Sequence, residues 1–281
     1  MSRVEVNGIA LNVEQWGEGR PLLCLHGFTG SASTWAPFAG AWPGWRIVAV
    51  DLIGHGASDA PADPARYAME RAVDDLAAVL EATGVRRATV LGYSMGGRVA
   101  LHFALLAPER VEALILESAS PGIDDAAERA ARARSDEELA AFIEREGIEA
   151  FVDRWESLPL FATQRSLPAD TLARQRAQRL ANRPEGLANS LRGMGAGAQR
   201  PLRSRLGEIR VPALVIAGAL DDRYRALAYE MARSMPQATA VIIPGAGHAP
   251  HLERPGDFAR AVGAFLDGRG LAIIETREAT R

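Results

Sequence analysis

Gly92-Tyr93-Ser94-Met95-Gly96-Gly97 is the stretch whose reading decides the fold. The strand-forming run Ala88-Thr89-Val90-Leu91 leads into it. The helix-forming run Arg98-Val99-Ala100-Leu101-His102-Phe103-Ala104 leads out. Strand, Gly-x-Ser-x-Gly, helix is the pattern of a nucleophile elbow. The flanking glycines let the backbone turn sharply and let neighbouring chain pass close by. Ser94 is then expected in a strained conformation, with its hydroxyl above a sheet.

A serine hydroxyl is a weak nucleophile or base at neutral pH. It needs an imidazole to take its proton and a carboxylate to fix that imidazole's tautomer. In this elbow context the chain order is Ser, acid, His. Asp221 follows the apolar run 211–218, and His248 follows the run 240–243 through Pro244-Gly245-Ala246-Gly247. Both stand where the pattern wants them. Asp222 is a rival acid one register away, and His251 is a rival base. The glycine-punctuated loop His26-Gly27-Phe28-Thr29-Gly30 follows the apolar run 20–25. Its backbone amides, with that of Met95, are placed for an oxyanion hole, and the donors are assigned to Phe28 and Met95. His26 and His55 read as loop braces, and His102 as core or rim.

Around this constellation, strands and helices alternate. Residues 4–6 and 9–13 flank Asn7-Gly8 as a hairpin. A helix is expected from Ser31, a strand over 46–50, an amphipathic helix over 69–81 and a strand over 111–117. This rhythm implies a mostly parallel sheet covered on both faces. It stops at residue 120. From there to 206 only helices are expected: one from Asp124-Asp125 to 134, one opened by a capping box at Ser135-Asp136-Glu137-Glu138, one over 148–157, and more after Pro168 and Pro184. An all-helical insertion in such a sheet reads as a cap. The expected division is 1–119 with 207–281 as core and 120–206 as cap. The sheet resumes at 213–218, with a helix from 225, a strand over 240–243 and a helix over 257–266. The tail from 268 is polar with an apolar patch at 271–274.

Composition narrows the classes. The chain has 281 residues, 48% of them hydrophobic, which suits one large α/β domain with a cap, or two modest domains. A net charge of −3 provides no field for nucleic acid or an anionic membrane. Lys and Arg total 32, and every one is arginine. The single cysteine, Cys24, lies in an apolar run, suits a reducing compartment and reads as a buried hydrophobe. The five histidines lack metal-ligand spacing, and no phosphate loop or dinucleotide fingerprint is present. With no apolar leader or membrane-length run, the expectation is a cytoplasmic protein without cofactor or metal, acting on a small molecule rather than on nucleic acid or membrane.

The elbow, the His-Gly-x-x-Gly loop, Asp51-x-x-Gly-x-Gly-x-Ser58, and the late Asp and His resemble the α/β-hydrolase superfamily over nearly the whole chain. The cap is more specific. Glu117-Ser118-Ala119-Ser120-Pro121-Gly122-Ile123, the run 128–136, Trp155-Glu156-Ser157-Leu158-Pro159-Leu160-Phe161 and the run 187–195 are similar to the 2-succinyl-6-hydroxy-2,4-cyclohexadiene-1-carboxylate synthase family of menaquinone biosynthesis. That resemblance implies a lyase that eliminates pyruvate from a cyclohexene precursor after proton abstraction, with Ser94, Asp221 and His248 as triad. It implies that Arg98 and Arg132 bind substrate carboxylates and that Tyr93 and Trp155 line the pocket. A further cap arginine is expected, Arg179 or, nearly as good, Arg176. Guanidinium forks suit a small anionic substrate with several carboxylates. Arg129, three residues before Arg132, shares its helix face but is equally compatible with a solvated surface. The same triad would serve a hydrolase of esters or carbon–carbon bonds, and the same fold a non-catalytic receptor.

Overall fold

The computed structural model describes residues 2–268; the apolar patch at 271–274 lies outside the described residues. The chain begins with an antiparallel hairpin, β1 (Ser2–Val6) and β2 (Ile9–Trp16). Asn7 and Gly8 turn it with φ of 47° and 82°, the two positive values that a tight two-residue turn requires. The strands β3 (Arg20–Leu25), β4 (Trp45–Val50), β5 (Ala88–Tyr93), β6 (Val111–Glu117), β7 (Ala213–Gly218) and β8 (Ala238–Ile243) complete an eight-stranded sheet. Its order is β1-β2-β4-β3-β5-β6-β7-β8. β2 runs antiparallel to β4, and every pairing from β4 to β8 is parallel.

Both faces of the sheet are covered, so its central strands are apolar throughout rather than alternating. The two-residue period sorts them by face. Leu23 and Leu25 pack with α1 (Met69–Ala82) and α2 (Met95–Leu106). Leu22 and Cys24 face the other way, against Trp35, Phe38 and the final helix, α8 (Pro255–Leu266). Cys24 is fully buried, and burial pushes its thiol upward. Ahead of α8 come α6 (Asp222–Ser234) and the single turn α7 (Pro250–Glu253).

The helical segment between β6 and β7 contains α3 (Ala126–Glu156), α4 (Ala169–Leu180) and α5 (Pro184–Met194). It has a core of its own, in which Ile143, Phe151 and Val152 of α3 meet Leu187 and Leu191 of α5. Phe28, from the loop after β3, packs against this cluster and joins cap to core.

Several elements differ from expectation. Asp125 caps α3, its side chain accepting from the Glu128 amide, but the helix does not stop at Arg134. The Ala-rich turn before Ser135 has high helix propensity and no breaker, so the capping-box residues are carried inside a continuous helix. Asp136 finds other donors, Arg132 Nε at 2.8 Å and the Gly197 amide at 3.0 Å. The break comes instead at Gly147, with φ 81° and ψ 178°, just ahead of the third expected helix. The segment after Ser31 is a 3₁₀ turn, Ala32–Phe38, because Pro37 inside it removes a donor. α6 starts three residues before Arg225, since Asp221 accepts from the Tyr224 amide and caps it. The turn α7 was not expected.

Candidate active site

The end of β5 and the start of α2 hold Ser94 at φ 51°, ψ −106°, a conformation costly to a side chain. The glycines around it are required by space. A Cβ on Gly92 would lie 2.3 Å from the Gly96 carbonyl oxygen, and one on Gly96 2.4 Å from that of Leu25. The Ser94 amide donates to the Glu117 carbonyl at 2.8 Å, tying the elbow to β6.

Ser94 Oγ lies 3.1 Å from His248 Nε2, and His248 Nδ1 lies 2.8 Å from Asp221 Oδ2. A carboxylate at Nδ1 keeps the proton there, which leaves Nε2 free to accept the serine proton. The imidazole is almost wholly buried. Glu253 of α7 fixes its loop, accepting from the amides of Gly247 at 2.7 Å and Ala249 at 3.1 Å. The alternatives point elsewhere. Asp222 is exposed and pairs with Arg225 at 2.9 Å. His251 donates from Nδ1 to the buried Glu117 at 2.8 Å and packs edge-on against Tyr93.

The loop after β3 passes beside the nucleophile. A Cβ on Gly27 would come within 3.5 Å of Ser94 Cβ and strike the Tyr93 ring at 2.6 Å. Phe28 and Met95 line the same cavity as Ser94 and His248. Met95 is the first residue of α2, where amides lack intrahelical acceptors. His26 braces this loop. Its Nδ1–H donates to the Gly27 carbonyl at 2.8 Å, and its Nε2 accepts from the Leu52 amide at 3.0 Å. Burial pushes its pKa down to about 4, so the ring is neutral and this bonding pattern holds. His55, whose ring lies 5.0 Å from that of His26, is lowered to about 3 by burial and then by its neighbour.

The catalytic cavity has a volume of about 140 Å³, and a larger one of about 600 Å³ adjoins it. Phe28, Tyr93, Trp155 and Phe161 line both. Trp155 therefore serves two purposes, packing edge-on against Phe28 and tilted against Phe151 at the cap core while walling the cavities. Tyr93 packs, partly buried, between His248 and His251, and desolvation raises its phenol well above the ordinary range. Arg98 lines the cavity at Ser94, is partly buried and donates to the Met194 carbonyl at 2.6 Å. Among the described residues no carboxylate pairs with it, and desolvation lowers its pKa to about 10, still charged at neutral pH. A partly desolvated guanidinium in that state is a prepared receptor for an anion. Arg132 lines the same cavity from α3, held by Asp136.

Of the two α4 arginines, Arg179 is buried, spans 3.0 Å to Glu156, lies over Phe161 and lines the larger cavity. Arg176 pairs with Asp153 and Glu156 and is absent from both cavity walls. Arg129 donates to the Ile123 and Asp124 carbonyls. The structure also brings in Glu253, Arg223 and Tyr224, whose ring is 4.5 Å from that of His248. Their nearness in sequence to Asp221 and His248 was the available signal. Among the described residues, no group of three His, Cys, Asp or Glu could hold a metal ion, and no helix is long and apolar enough to cross a membrane.

The geometry has counterparts in known proteins. The family described as alpha/beta hydrolase fold matches residues 20–255. A Bacillus subtilis (strain 168) protein, provisionally named 2-succinyl-6-hydroxy-2,4-cyclohexadiene-1-carboxylate synthase, is 45% identical over 87% of this chain and 89% of its own length. The Serratia proteamaculans (strain 568) protein of that name is 32% identical over 93% of this chain and 100% of its own. Among solved structures, MenH from S. aureus superimposes with a TM-score of 0.88 at 33% identity, over 92% of this chain and 98% of the other.

Proposed function

The chain belongs to the 2-succinyl-6-hydroxy-2,4-cyclohexadiene-1-carboxylate synthase family on the alpha/beta hydrolase fold, and from that premise we propose that it is a carbon–oxygen lyase of menaquinone biosynthesis, working in the cytoplasm. Its substrate would be 2-succinyl-5-enolpyruvyl-6-hydroxy-3-cyclohexene-1-carboxylate. The product has lost a hydrogen at C2 and the oxygen substituent at C5, and has gained a conjugated diene. C2 stands beside the succinyl ketone, so its proton is the acidic one. His248 takes the Ser94 proton, and Ser94 Oγ removes the C2 proton. Negative charge develops on the ketone oxygen, where the Phe28 and Met95 amides would receive it. The electron pair then forms C2=C3, the C3=C4 pair shifts to C4=C5, and the C5–O bond breaks. The leaving enolpyruvate takes a proton on carbon to become pyruvate.

The observation that carries this reading is Arg98, a partly buried guanidinium with no carboxylate partner among the described residues, in the same cavity as the Ser94–His248 pair. It suits a polyanion and poorly suits a simple apolar ester. Arg132, Arg179, Tyr93 and Trp155 would complete the substrate walls. The test is pyruvate release from the named substrate by the parent chain and by Ser94→Ala. Release by the parent, reduced by at least about a thousandfold in kcat in the variant, is the expected result. Rapid turnover of short-chain nitrophenyl esters with no pyruvate would replace the lyase with a hydrolase. A Ser94→Ala effect below about tenfold would remove Ser94 from the chemistry.

A further inference from the structure

Five arginines line the two adjoining cavities: Arg98, Arg132, Arg174, Arg179 and Arg223. Three are matched by carboxylates of this chain. Arg132 pairs with Asp136, Arg174 with Asp170, and Arg179 with Glu156. Arg98 and Arg223 make no ion pair among the described residues, and both border the catalytic cavity. Arg98 is partly buried, whereas Arg223 is exposed on the first turn of α6. The acids beside Arg223 are committed elsewhere. Asp221 accepts from His248 and from the Tyr224 amide, and Asp222 holds Arg225. The neighbouring Tyr224 packs its ring 4.5 Å from the His248 ring. One turn of helix therefore sets the triad acid, a ring against the triad base and an uncompensated cation.

We propose that Arg223 is a specificity-determining residue, an exposed guanidinium of the cavity wall that binds one carboxylate of the polycarboxylate substrate while Arg98 binds another. The proposal rests on the lyase reading for the identity of the substrate. Its physical basis is separate. A guanidinium forms short, charge-assisted bonds to a carboxylate, and when exposed it also attracts an anion before contact. Two cations lining the cavity of the triad select ligands carrying at least two carboxylates. Because Arg223 touches a charged substituent rather than the reacting atoms, its contribution is expected in ground state and transition state alike, and so in KM.

The experiment is steady-state pyruvate release by the parent, Arg223→Gln and Arg223→Lys, at low and high ionic strength. In Arg223→Gln, KM is expected to rise about tenfold or more, with kcat within about threefold. Arg223→Lys should fall between, since it keeps the charge and loses the fork. The fall of kcat/KM with salt should be shallower in Arg223→Gln than in the parent, a response that a merely structural role would not produce. A KM within twofold of the parent and an unchanged salt dependence would overturn the proposal. If the folded parent releases no pyruvate, the lyase reading fails, and binding alone decides the role of Arg223. Citrate, a tricarboxylate probe, should then raise the melting temperature of the parent more than that of Arg223→Gln. Equal shifts would overturn it.

Discussion

At the scale of single residues, the catalytic assignment depends on which of two adjacent carboxylates meets His248. Asp221 caps α6 with one oxygen and takes His248 Nδ1–H with the other, so the same turn that starts the helix orients the base. Asp222 points outward to Arg225. Asp221→Asn should lower kcat by about 10⁴-fold, because an amide at Nδ1 favours the wrong tautomer, while Asp222→Asn should leave kcat within about twofold. Equal losses in steady-state rates would contradict the assignment. Ser94, His248 and the oxyanion loop were legible in the sequence because glycine spacing and chain order constrain them tightly. The sequence favoured Asp221 over Asp222, His248 over His251 and, narrowly, Arg179 over Arg176, but it left each rival open. Each pair differs only in which way a side chain points, and that is set by distant partners such as Glu117 and Glu156. Glu253 was not legible either. Its role as acceptor for the Gly247 and Ala249 amides depends on the single turn α7, too short to leave a periodic signal.

At the scale of elements, the elbow works because β5, α2 and the loop after β3 approach more closely than side chains allow. Gly96 abuts the Leu25 and His26 carbonyl oxygens, at 2.4 and 2.6 Å from a Cβ placed there. Both are backbone atoms, so relief requires moving α2 or β3. Gly96→Ala should destabilise the fold by about 3 kcal/mol or more, read as a lowered denaturant midpoint with an unchanged slope. Gly147→Ala meets no neighbouring atom, and its cost should be only that of forcing alanine to φ 81°, ψ 178°, a region that essentially only glycine visits, about 2 kcal/mol. A Gly96→Ala protein as stable as Gly147→Ala would contradict the close-packing argument. The strands were legible as apolar runs and most helices as periodic ones. The continuity of α3 was not, because capping-box residues carry the same pattern whether they open a helix or ride inside one. Only the partners of Asp136 distinguish the cases.

At the scale of the whole molecule, sheet and cap meet at a buried seam that contains two neutral histidines. His26 and His55 have pKa values near 4 and 3 in the fold, against about 6.5 when unfolded. The unfolded chain therefore binds more protons below pH 6.5, and stability should be full above that pH and fall as pH drops from about 6.5 toward 4. Each unit of separation corresponds to about 1.4 kcal/mol, so the loss amounts to several kcal/mol. The melting temperature should decline over this window, and His55→Gln should flatten the decline. Parallel curves for parent and variant would contradict it. Protonation of His26 at Nε2 would also break its bond from the Leu52 amide, loosening the loop that carries Phe28. The most direct test of the central claim is the simultaneous measurement of pyruvate and near-ultraviolet diene absorbance as the parent chain consumes 2-succinyl-5-enolpyruvyl-6-hydroxy-3-cyclohexene-1-carboxylate. Triad-initiated elimination predicts the two products rising together, one for one, and neither rising with Ser94→Ala. Substrate consumption without the diene, or an unchanged rate in Ser94→Ala, would contradict the account.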